Sequence, residues 1–277
     1  MSDLVLCDVD DGVATITLNR PERLNAINRD MGRQFDETMA RVGSDPSIRV
    51  VILTGAGRGF CAGGDVGRLD DLTEDHGASL DNPPPGEFAP VFAPLAAAPV
   101  AHLSRYIITS ALPQPVIAAV NGPCAGVGFS LAVNCDLRFA STQGFFAAGF
   151  PRRGLTCEAG LAFTLPAIIG QGHTADIFFS GRRVAAEEAW HMGLVNKVLE
   201  PAELMPHVQA YARDIARNVS PRSTRVTKRQ LWLAREQTYL EALKSSHAEA
   251  IASFSSRDFK EGVAAFKEKR PPAFTGE

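Results

Sequence analysis

The feature that most constrains the fold is a strand that runs into a glycine-rich bend and then into a helix, within residues 116–136. Val116 to Val120 is a short apolar run bounded by turns that contain proline and glycine. A continuous apolar run of this length predicts a strand buried on both faces, which is typical of layered α/β proteins. Gly126 and Gly128 then precede a second apolar run ending at Val133, and this run predicts a helix packed closely against the strand.

The bend is also a place where negative charge can be stabilised. The first turn of a helix has backbone N–H groups without helical partners, and the helix dipole makes that end partly positive. A second stretch of the same form, Gly55 to Asp65, follows the apolar run Val50 to Leu53 and leads into a helix predicted at Val66 to Leu69. Two such bends can direct two N–H groups at one oxygen atom, as in an oxyanion hole. For one bend alone, glycines that only permit close packing are an equally good explanation.

Four segments together resemble the enoyl-CoA hydratase/isomerase family, also called the crotonase family. They are Leu18 to Ile27 (LNRPERLNAI), Phe60 to Asp65 (FCAGGD), Asn121 to Gly128 (NGPCAGVG) and Ala186 to Val195 (AEEAWHMGLV). Their order and spacing are specific to the family, and the resemblance covers nearly the whole chain. It implies an α/β fold with a superhelical spiral of ββα units in residues 1–204, followed by an all-helical trimerisation region in residues 205–277.

The resemblance also implies a function and a set of site residues. The family binds acyl-CoA thioesters and stabilises the enolate that forms at the thioester carbonyl oxygen, and by motif the two N–H donors would be those of Gly64 and Val127. Coenzyme A would enter as part of the substrate, with no other cofactor. Its contacts would be Arg23, Asn25, Ala26, Ala62 and Gly63, together with Phe266 and Lys269 acting on the CoA of a neighbouring subunit. For Arg23 and Lys269, a solvated surface charge is the alternative.

This chain differs from the hydratases of the family in the residues that transfer protons. It carries Ser130 and Phe150 at the two positions where hydratases have glutamates, and neither side chain is a base at neutral pH. Glu158 remains, at the start of a helix predicted over Cys157 to Ile169. This resembles the isomerase branch, in which one carboxylate at this position moves a proton between two carbons, with Phe at the 150 position and a bulky residue at the position of Val127.

We therefore expect isomerisation of a 3-enoyl-CoA to a 2-enoyl-CoA, with hydration as the alternative activity. Glu158 has a second explanation as a first-turn acid that the helix dipole favours. Asp65, next to the predicted oxyanion hole, is expected to be structural or to cap a helix.

Composition excludes several other classes of protein. The chain has 277 residues, 45% of them hydrophobic, and a formal net charge of −3, so it can bury a core of normal size. The N-terminus is acidic where a signal peptide is basic, and no apolar run approaches the roughly 18 residues of a membrane span. The scattered, odd-numbered cysteines and the histidine spacing indicate neither disulfides nor a metal site. We expect a cytoplasmic protein without a membrane partner.

The remaining elements follow from periodicity and turn signals. The predicted strands are Leu4 to Val9, Val13 to Leu18, Leu137 to Ala140, Gly144 to Ala147 and Val195 to Leu199, and the predicted helices are Asn28 to Gly43, His102 to Leu112, Thr174 to Ser180 and Ala185 to Met192. Between Leu69 and Ala101 the composition indicates either a loop that shapes the acyl pocket, as the resemblance implies, or an ordinary surface loop. Beyond residue 205 only helices are predicted, with enough apolar surface for a homotrimer or a dimer of trimers.

Two rival functions rest on weaker signals. A dinucleotide-binding enzyme is suggested by the repeated strand, glycine turn and helix, but Gly126 to Leu131 (GVGFSL) lacks the third glycine of that motif. A non-enzymatic module that binds CoA esters or RNA is suggested by a basic stretch, although such charges are more often one solvated helix face. That stretch contains Arg222, Arg225, Lys228, Arg229 and Arg235. We expect no nucleic-acid partner.

Overall fold

The computed structural model describes residues 3–65, 67, 74 and 105–277. Apart from Gly67 and Glu74, the helix predicted at Val66 to Leu69 and the loop predicted between Leu69 and Ala101 lie outside the described residues.

Two sheets form the centre of the molecule. The strands of the larger sheet, numbered in chain order, are β1 (Val5–Asp10), β2 (Val13–Leu18), β3 (Val50–Gly55), β4 (Val116–Val120), β6 (Leu137–Ser141) and β9 (Lys197–Leu199). They lie in the order β1-β2-β3-β4-β6-β9. The smaller sheet consists of β5 (Pro123–Ala125), β7 (Phe145–Ala147) and β8 (Val184–Ala185), in the order β5-β7-β8.

The first two strands form the predicted antiparallel hairpin. Val5 pairs with Leu18 and Asp10 with Val13, and Asp11 and Gly12 turn the chain with positive φ. From β2 onward the large sheet is parallel. Parallel strands need crossover connections, which the helices provide.

The helices, again in chain order, cover the sheets and extend the C-terminal half. They are α1 (Arg29–Ser44), α2 (Ile108–Ala111), α3 (Val127–Val133), α4 (Leu161–Ser180), α5 (Ala186–His191), α6 (Pro201–Asn218), α7 (Pro221–Leu233), α8 (Tyr239–Phe254) and α9 (Arg257–Glu268). Asn28 caps α1 as predicted, because its side-chain oxygen accepts a hydrogen bond from the N–H of Met31. In the described part of the helix predicted over His102 to Leu112, a 3-10 turn at Arg105–Ile107 precedes α2.

Both faces of the central parallel strands β3 and β4 are buried. Val51 and Leu53 of β3 belong to the large core that includes α1, α3 and α4, whereas Val50 and Ile52 face the opposite side. There they pack with apolar side chains of α6, namely Leu204, Val208, Ala212 and Ala216. Strand β4 is buried along its whole length, as predicted.

The C-terminal region is helical, as predicted, but its first helix packs against the large sheet. The boundary predicted between residues 204 and 205 falls inside α6, whose apolar side contacts β2, β3, β4 and β6. The helices that follow it are α7, α8 and α9. The division of the chain into two domains stays a prediction.

Helix α4 differs from the prediction at its start. It begins at Leu161 and not at Cys157, because Ala159 (φ 51°) and Gly160 (φ 70°) have left-handed backbone conformations that a right-handed helix excludes. The two helices predicted for this region, one ending at Ile169 and one beginning at Thr174, correspond to two helical segments within Leu161–Ser180, because the backbone of Gly170 between them is not helical (φ 78°, ψ 162°). Within the described residues, no helix is long and apolar enough to cross a membrane.

Candidate functional site

The predicted nucleotide loop and the first glycine bend lie side by side. The N–H of Ala62 donates to the carbonyl of Leu24 at 2.9 Å, and the N–H of Ile27 donates to the carbonyl of Gly63 at 2.8 Å. One step further along, the N–H of Asp65 donates to the carbonyl of Ile27 at 3.0 Å. Residues 24–27 are therefore fixed against residues 62–65.

The first bend is in turn paired with the second. Cys61 and Cys124 form a parallel bridge, and the N–H of Ala125 donates to the carbonyl of Cys61 at 2.9 Å. Three residues further along each segment stand Gly64 and Val127. The bends that carry these two residues touch each other at Gly63 and Gly126.

Glycine is required at 128 by the close approach of the two bends, and at 63 and 126 by the backbone conformation. A Cβ atom added to Gly126 would lie 3.5 Å from the Cα of Gly63, and one added to Gly128 would lie 2.3 Å from the carbonyl oxygen of Cys61. Gly63 (φ 116°) and Gly126 (φ 53°) also have backbone conformations that other residues rarely adopt. The close packing that the glycine pattern indicated is thus present in the structure.

In the part of the chain that the structure describes, the two predicted donors have no acceptor. Val127 is the first residue of α3, so its N–H has no partner inside the helix. Among the described residues, no hydrogen-bond acceptor is present for the N–H of Gly64 or of Val127. Two unsatisfied donors on adjacent segments can bind one oxygen atom, and negative charge that develops there would be stabilised.

Asp65 is held by an arginine beside the site. Arg20 donates from Nη1 to Oδ2 of Asp65 at 2.9 Å, and this hydrogen bond is the main reason that the pKa of Asp65 is lowered. The other carboxylate oxygen accepts from the N–H of Gly67 at 3.2 Å. These contacts agree with the expected structural role of Asp65.

Asn25 uses its side chain to connect two loops. It is fully buried, its Oδ1 accepts from the N–H of Arg20 at 2.8 Å, and its Nδ2 donates to the carbonyls of Ala56 and Gly59. The side chain is therefore committed to the fold, and the predicted contact of Asn25 with CoA would have to involve its main chain. Its neighbour Arg23 is exposed.

The two positions where hydratases carry glutamates are buried here. Ser130 is fully buried in α3, and Phe150 stacks on Phe178 with ring centroids 6.4 Å apart. Neither residue provides an ionisable side chain at neutral pH. Glu158 is half-buried in the segment between the 3-10 turn Pro151–Arg153 and α4.

The segment that carries Glu158 is attached to α3. Nδ2 of the buried Asn134 donates to the carbonyl of Ser130 at 3.0 Å and to that of Ala159 at 3.3 Å. The backbone of Glu158 is thus held relative to the helix that begins at Val127. Because Glu158 precedes the Gly160 cap, the alternative that it is a first-turn acid of α4 is wrong.

The predicted CoA contacts fall into two groups. Loop 23–26 and residues 62–63 come together through the hydrogen bonds described above. Phe266, 86% exposed at the end of α9, lines a separate cavity with Phe259 and Phe274, and Lys269 ends the helix in a left-handed conformation (φ 54°). Their predicted contact with the CoA of a neighbouring subunit stays a prediction.

Sequence reasoning missed a group of arginines next to the first group. Arg58, Arg152 and Arg153 line a groove that Ala62 and Ala125 also line. The signal in the sequence was two Arg-Arg pairs beside glycines, at 152–153 and 182–183, which the motif comparison did not use.

The basic stretch that suggested RNA binding makes contacts within the chain. Arg222 and Arg229 pair with Glu249, Lys228 pairs with Asp136, Arg225 donates to the carbonyl of Gly276, and Arg235 lies over the ring of Trp232. The presence of these five charges in the sequence is therefore explained without a nucleic-acid ligand.

Metal-ligating groups and cysteine thiols are two other kinds of candidate site residue. Among the described residues, no group of three or more His, Cys, Asp or Glu side chains is arranged to hold a metal ion. Cys61 and Cys124 are fully buried, and burial raises the pKa of Cys61 to about 12. Since the thiolate is the reactive form of cysteine, Cys61 is not a nucleophile at neutral pH.

Comparison with known proteins extends these observations. The family model described as enoyl-CoA hydratase/isomerase matches residues 8–83 and 96–277. A Mycobacterium tuberculosis protein named probable enoyl-CoA hydratase EchA12 is 39% identical over 268 residues, which covers 95% of this chain and 89% of the relative. The 1,2-epoxyphenylacetyl-CoA isomerase of Escherichia coli K12 is 34% identical over 291 residues, with 100% of both chains covered.

Solved structures of proteins with the same family name have a similar fold. A crystal structure of enoyl-CoA hydratase from Bacillus anthracis superposes with a TM-score of 0.86 at 28% identity, covering 99% of this chain and 100% of that one. The predicted α/β fold of the crotonase type, with a helical C-terminal region, is confirmed.

Proposed function

The chain belongs to the enoyl-CoA hydratase/isomerase family, and on that premise we propose that it moves the double bond of an acyl-CoA thioester from a 3-enoyl to a 2-enoyl position. The observation that carries this proposal is the set of three residues Ser130, Phe150 and Glu158. Two positions that bear glutamates in hydratases have no ionisable group, while one carboxylate stands on the segment attached to α3.

In the proposed mechanism Glu158 is the single acid and base. Its carboxylate removes a proton from C2 of the 3-enoyl thioester, and the negative charge moves onto the thioester oxygen. The N–H groups of Gly64 and Val127 bind that oxygen and stabilise the enolate. Protonated Glu158 then returns the proton to C4, so the double bond moves to C2–C3 and no water is consumed.

Hydration is the second candidate. It is favoured by relatives that are named hydratases, among them the EchA12 protein of M. tuberculosis. Hydration requires a water molecule that is held and deprotonated beside the double bond, which in the hydratases of the family is the task of two glutamates. Ser130 and Phe150 cannot perform it, so isomerisation is the better supported reaction.

The assembly is proposed to be a homotrimer or a dimer of trimers. Large apolar side chains on α7 to α9 are exposed in the single chain. Their exposed apolar surface is larger than is usual for a helical region in contact with water. They include Leu231, Tyr239, Leu240, Phe254 and Phe266, with exposures of 67%, 84%, 57%, 62% and 86%. In such an assembly Phe266 and Lys269 would reach the CoA of a neighbouring subunit.

The test is a pair of assays on one preparation of the full chain. A 3-enoyl-CoA and a 2-enoyl-CoA of the same chain length are supplied separately, and double-bond migration and hydration are followed as different products. We expect migration with the first substrate to exceed hydration of the second at every substrate concentration. Hydration that is faster than migration would reject isomerisation in favour of the second candidate.

A further inference from the structure

Ala159, the residue that follows Glu158, has a backbone conformation that alanine normally avoids. Its φ of 51° lies in the left-handed region, where the Cβ atom comes too close to a backbone oxygen. Such a conformation persists only when the surrounding structure holds it in place. Gly160 (φ 70°) continues the left-handed turn without this penalty. The proposed proton-transfer residue therefore lies next to a turn that needs support from other parts of the chain.

Asn134, at the end of α3, provides such a support. Its side chain is buried, with 1% of the residue exposed, and its Nδ2 donates to the carbonyl of Ala159 at 3.3 Å and to the carbonyl of Ser130 at 3.0 Å. The two N–H groups of the amide are thus divided between the Glu158 segment and α3. Cys157 and Ala159, on either side of Glu158, also pack against the core that includes α3.

The end of α3 that carries Asn134 is itself fixed to the large sheet. The N–H of Asp136 donates to the carbonyl of Val116, at the start of β4, at 2.9 Å, and the N–H of Val116 donates to Oδ2 of Asp136 at 2.7 Å. Nη1 of the buried Arg138 in β6 donates to three carbonyls at the same end of the helix, those of Ala132, Val133 and Cys135. The backbone around Asn134 is therefore anchored to both β4 and β6.

The other end of α3 begins at Val127, whose N–H is the proposed donor to the enolate oxygen. Helix α3 has seven residues, so Val127 and Asn134 lie about two turns, or roughly 10 Å, apart along it. One short helix thus connects the group that binds the enolate oxygen to the amide that holds the Ala159 carbonyl. In the proposed mechanism the oxygen and the reacting carbons belong to one thioester, so the groups that act on them must keep a fixed spacing.

We infer that Asn134 is a positioning residue for the reaction, which holds the Glu158 carboxylate at a fixed distance from the N–H of Val127. The inference rests on the proposed function, in which Glu158 transfers the proton. The side chain of Asn134 is buried and contacts two backbone carbonyls, so it acts through Glu158 and not on the substrate. Without the amide, the carbonyl of Ala159 loses this hydrogen bond and the left-handed turn loses a support.

The experiment compares Asn134→Leu and Asn134→Ser with the wild-type chain, and each substitution is also made in the Glu158→Gln background. Leucine has the branched shape of asparagine without its donors. Serine can keep a hydrogen bond to the Ser130 carbonyl within α3, but it is too short to reach Ala159. The measurements are kcat and KM for a 3-enoyl-CoA, Kd for free CoA by calorimetry, and amide hydrogen exchange over residues 155–164.

The matched control is Thr109→Val, because Thr109 is also fully buried and bonded to α3. Its hydroxyl donates to the carbonyl of Leu131 at 3.4 Å. The substitution keeps the shape of the side chain, removes one hydrogen bond from α3 and leaves the contact between Asn134 and Ala159 in place. Its kcat should stay within about twofold of the wild type.

Both Asn134 variants should lower kcat by about 10- to 100-fold, because a misplacement of about 1 Å in a reacting group costs up to about 100-fold in rate. KM for the CoA ester and Kd for free CoA should stay within about twofold. In the Glu158→Gln background the same substitutions should change the remaining turnover by less than about twofold, because the carboxylate that they position is already absent. A merely structural role would lower turnover by the same factor in both backgrounds.

Hydrogen exchange reports on the turn independently of turnover. The N–H of Leu161 donates to the carbonyl of Glu158, and the N–H of Thr164 donates to that of Gly160. Both amides should exchange faster in the Asn134 variants than in the wild type or in Thr109→Val, because local opening of the turn becomes easier.

Unchanged kcat in both Asn134 variants, together with a slow Glu158→Gln, would overturn this inference and leave the proposed function intact. An equal loss of turnover in the two backgrounds would also overturn it. If Asn134→Leu does not fold, Asn134→Ser decides between these outcomes. Wild-type turnover in Glu158→Gln alone would instead reject the proposed function, so the two failures are distinguished by which single variant keeps its activity.

Discussion

A Cβ atom added to Gly126 would lie 3.5 Å from the Cα of Gly63, so the two glycine bends are in direct contact. Gly126 also has a positive φ of 53°. We predict that Gly126→Ala lowers turnover by about 10²–10³, because a shift of this bend moves the N–H of Val127 away from the enolate oxygen. The strained backbone should also reduce the free energy of unfolding by about 1–3 kcal/mol, measured in urea.

Gly172→Ala is the control for that substitution. An added Cβ at Gly172 meets no atom within 4 Å, and the residue lies in α4. Its turnover and stability should match those of the wild type or exceed them slightly, because alanine favours helix. Equal turnover in the two variants would contradict the role given to the second bend.

Glu158→Gln should lower the rate of double-bond migration by about 10²–10⁴, the usual loss when a positioned acid or base is removed. Affinity for the CoA ester should change little, because the amide has nearly the same shape and the predicted CoA contacts are untouched. The readouts are kcat for a 3-enoyl-CoA and Kd for free CoA. The exposed Glu187→Gln on α5 is the control and should retain full activity. Rapid hydration of a 2-enoyl-CoA by both the wild type and Glu158→Gln would refute the mechanism.

The buried Lys228 joins α7 to α2 and to the loops that precede β4 and β6. Its Nζ lies 2.7 Å from Oδ2 of Asp136 and donates to the carbonyls of Thr109 and Gln114. Lys228→Met should reduce the free energy of unfolding by about 3 kcal/mol, because Asp136 loses its ion pair and two carbonyls lose a hydrogen bond. Arg229→Gln removes a more exposed charge from the same helix and should cost less than about 1 kcal/mol. Urea unfolding that shows equal losses would contradict this difference.

The apolar side of α8 should join protomers. In the single chain Leu243 is 49% and Ile251 is 55% exposed. Leu243→Glu would place a charge in the proposed interface, where it could not be paired, and should shift the assembly to monomers. Light scattering of the wild type should give the mass of a trimer or hexamer. A monodisperse wild-type monomer would show that these side chains do not join copies of the chain.

Acid should weaken the attachment of the C-terminal tail. Hydrogen bonds from Arg270 and from the N–H of Ala273 hold the pKa of Glu261 at about 2, below its usual value of 4.5. A lowered pKa contributes stability that is complete above the usual value and is lost as pH falls towards the lowered one. The wild type should therefore melt higher than Glu261→Gln at neutral pH, and the gap should narrow between pH 4.5 and about 2. The exposed Glu236→Gln makes the same change in charge and is the control variant.

Features set by local sequence were predicted well. The double burial of β4, the hairpin at Asp11 and Gly12, and the cap at Asn28 each depend on a few adjacent residues, and the structure contains all of them. The start of α4 was predicted wrongly. Alanine normally favours a helix, so the sequence does not show that Ala159 has a left-handed conformation.

The candidate site was predictable only where motifs identify it. Gly64 and Val127 were named from two motifs, and the pairing of the two segments that carry them became visible only in the bridge between Cys61 and Cys124. The structural use of Asn25 and the grouping of Arg58 with Arg152 depend on contacts between distant parts of the chain. Neither leaves a periodic signal in the sequence.

The pairing of three distant segments has a consequence for how the protein folds. Hydrogen bonds join residues 24–27 to residues 61–65, and further hydrogen bonds join residues 61–65 to residues 123–127. The chain must close long loops before these bonds can form, and contacts of that kind are slow to appear during folding. No fragment shorter than residues 24–127 contains all three segments. Recovery of activity after dilution from denaturant should therefore lag behind recovery of helical circular dichroism.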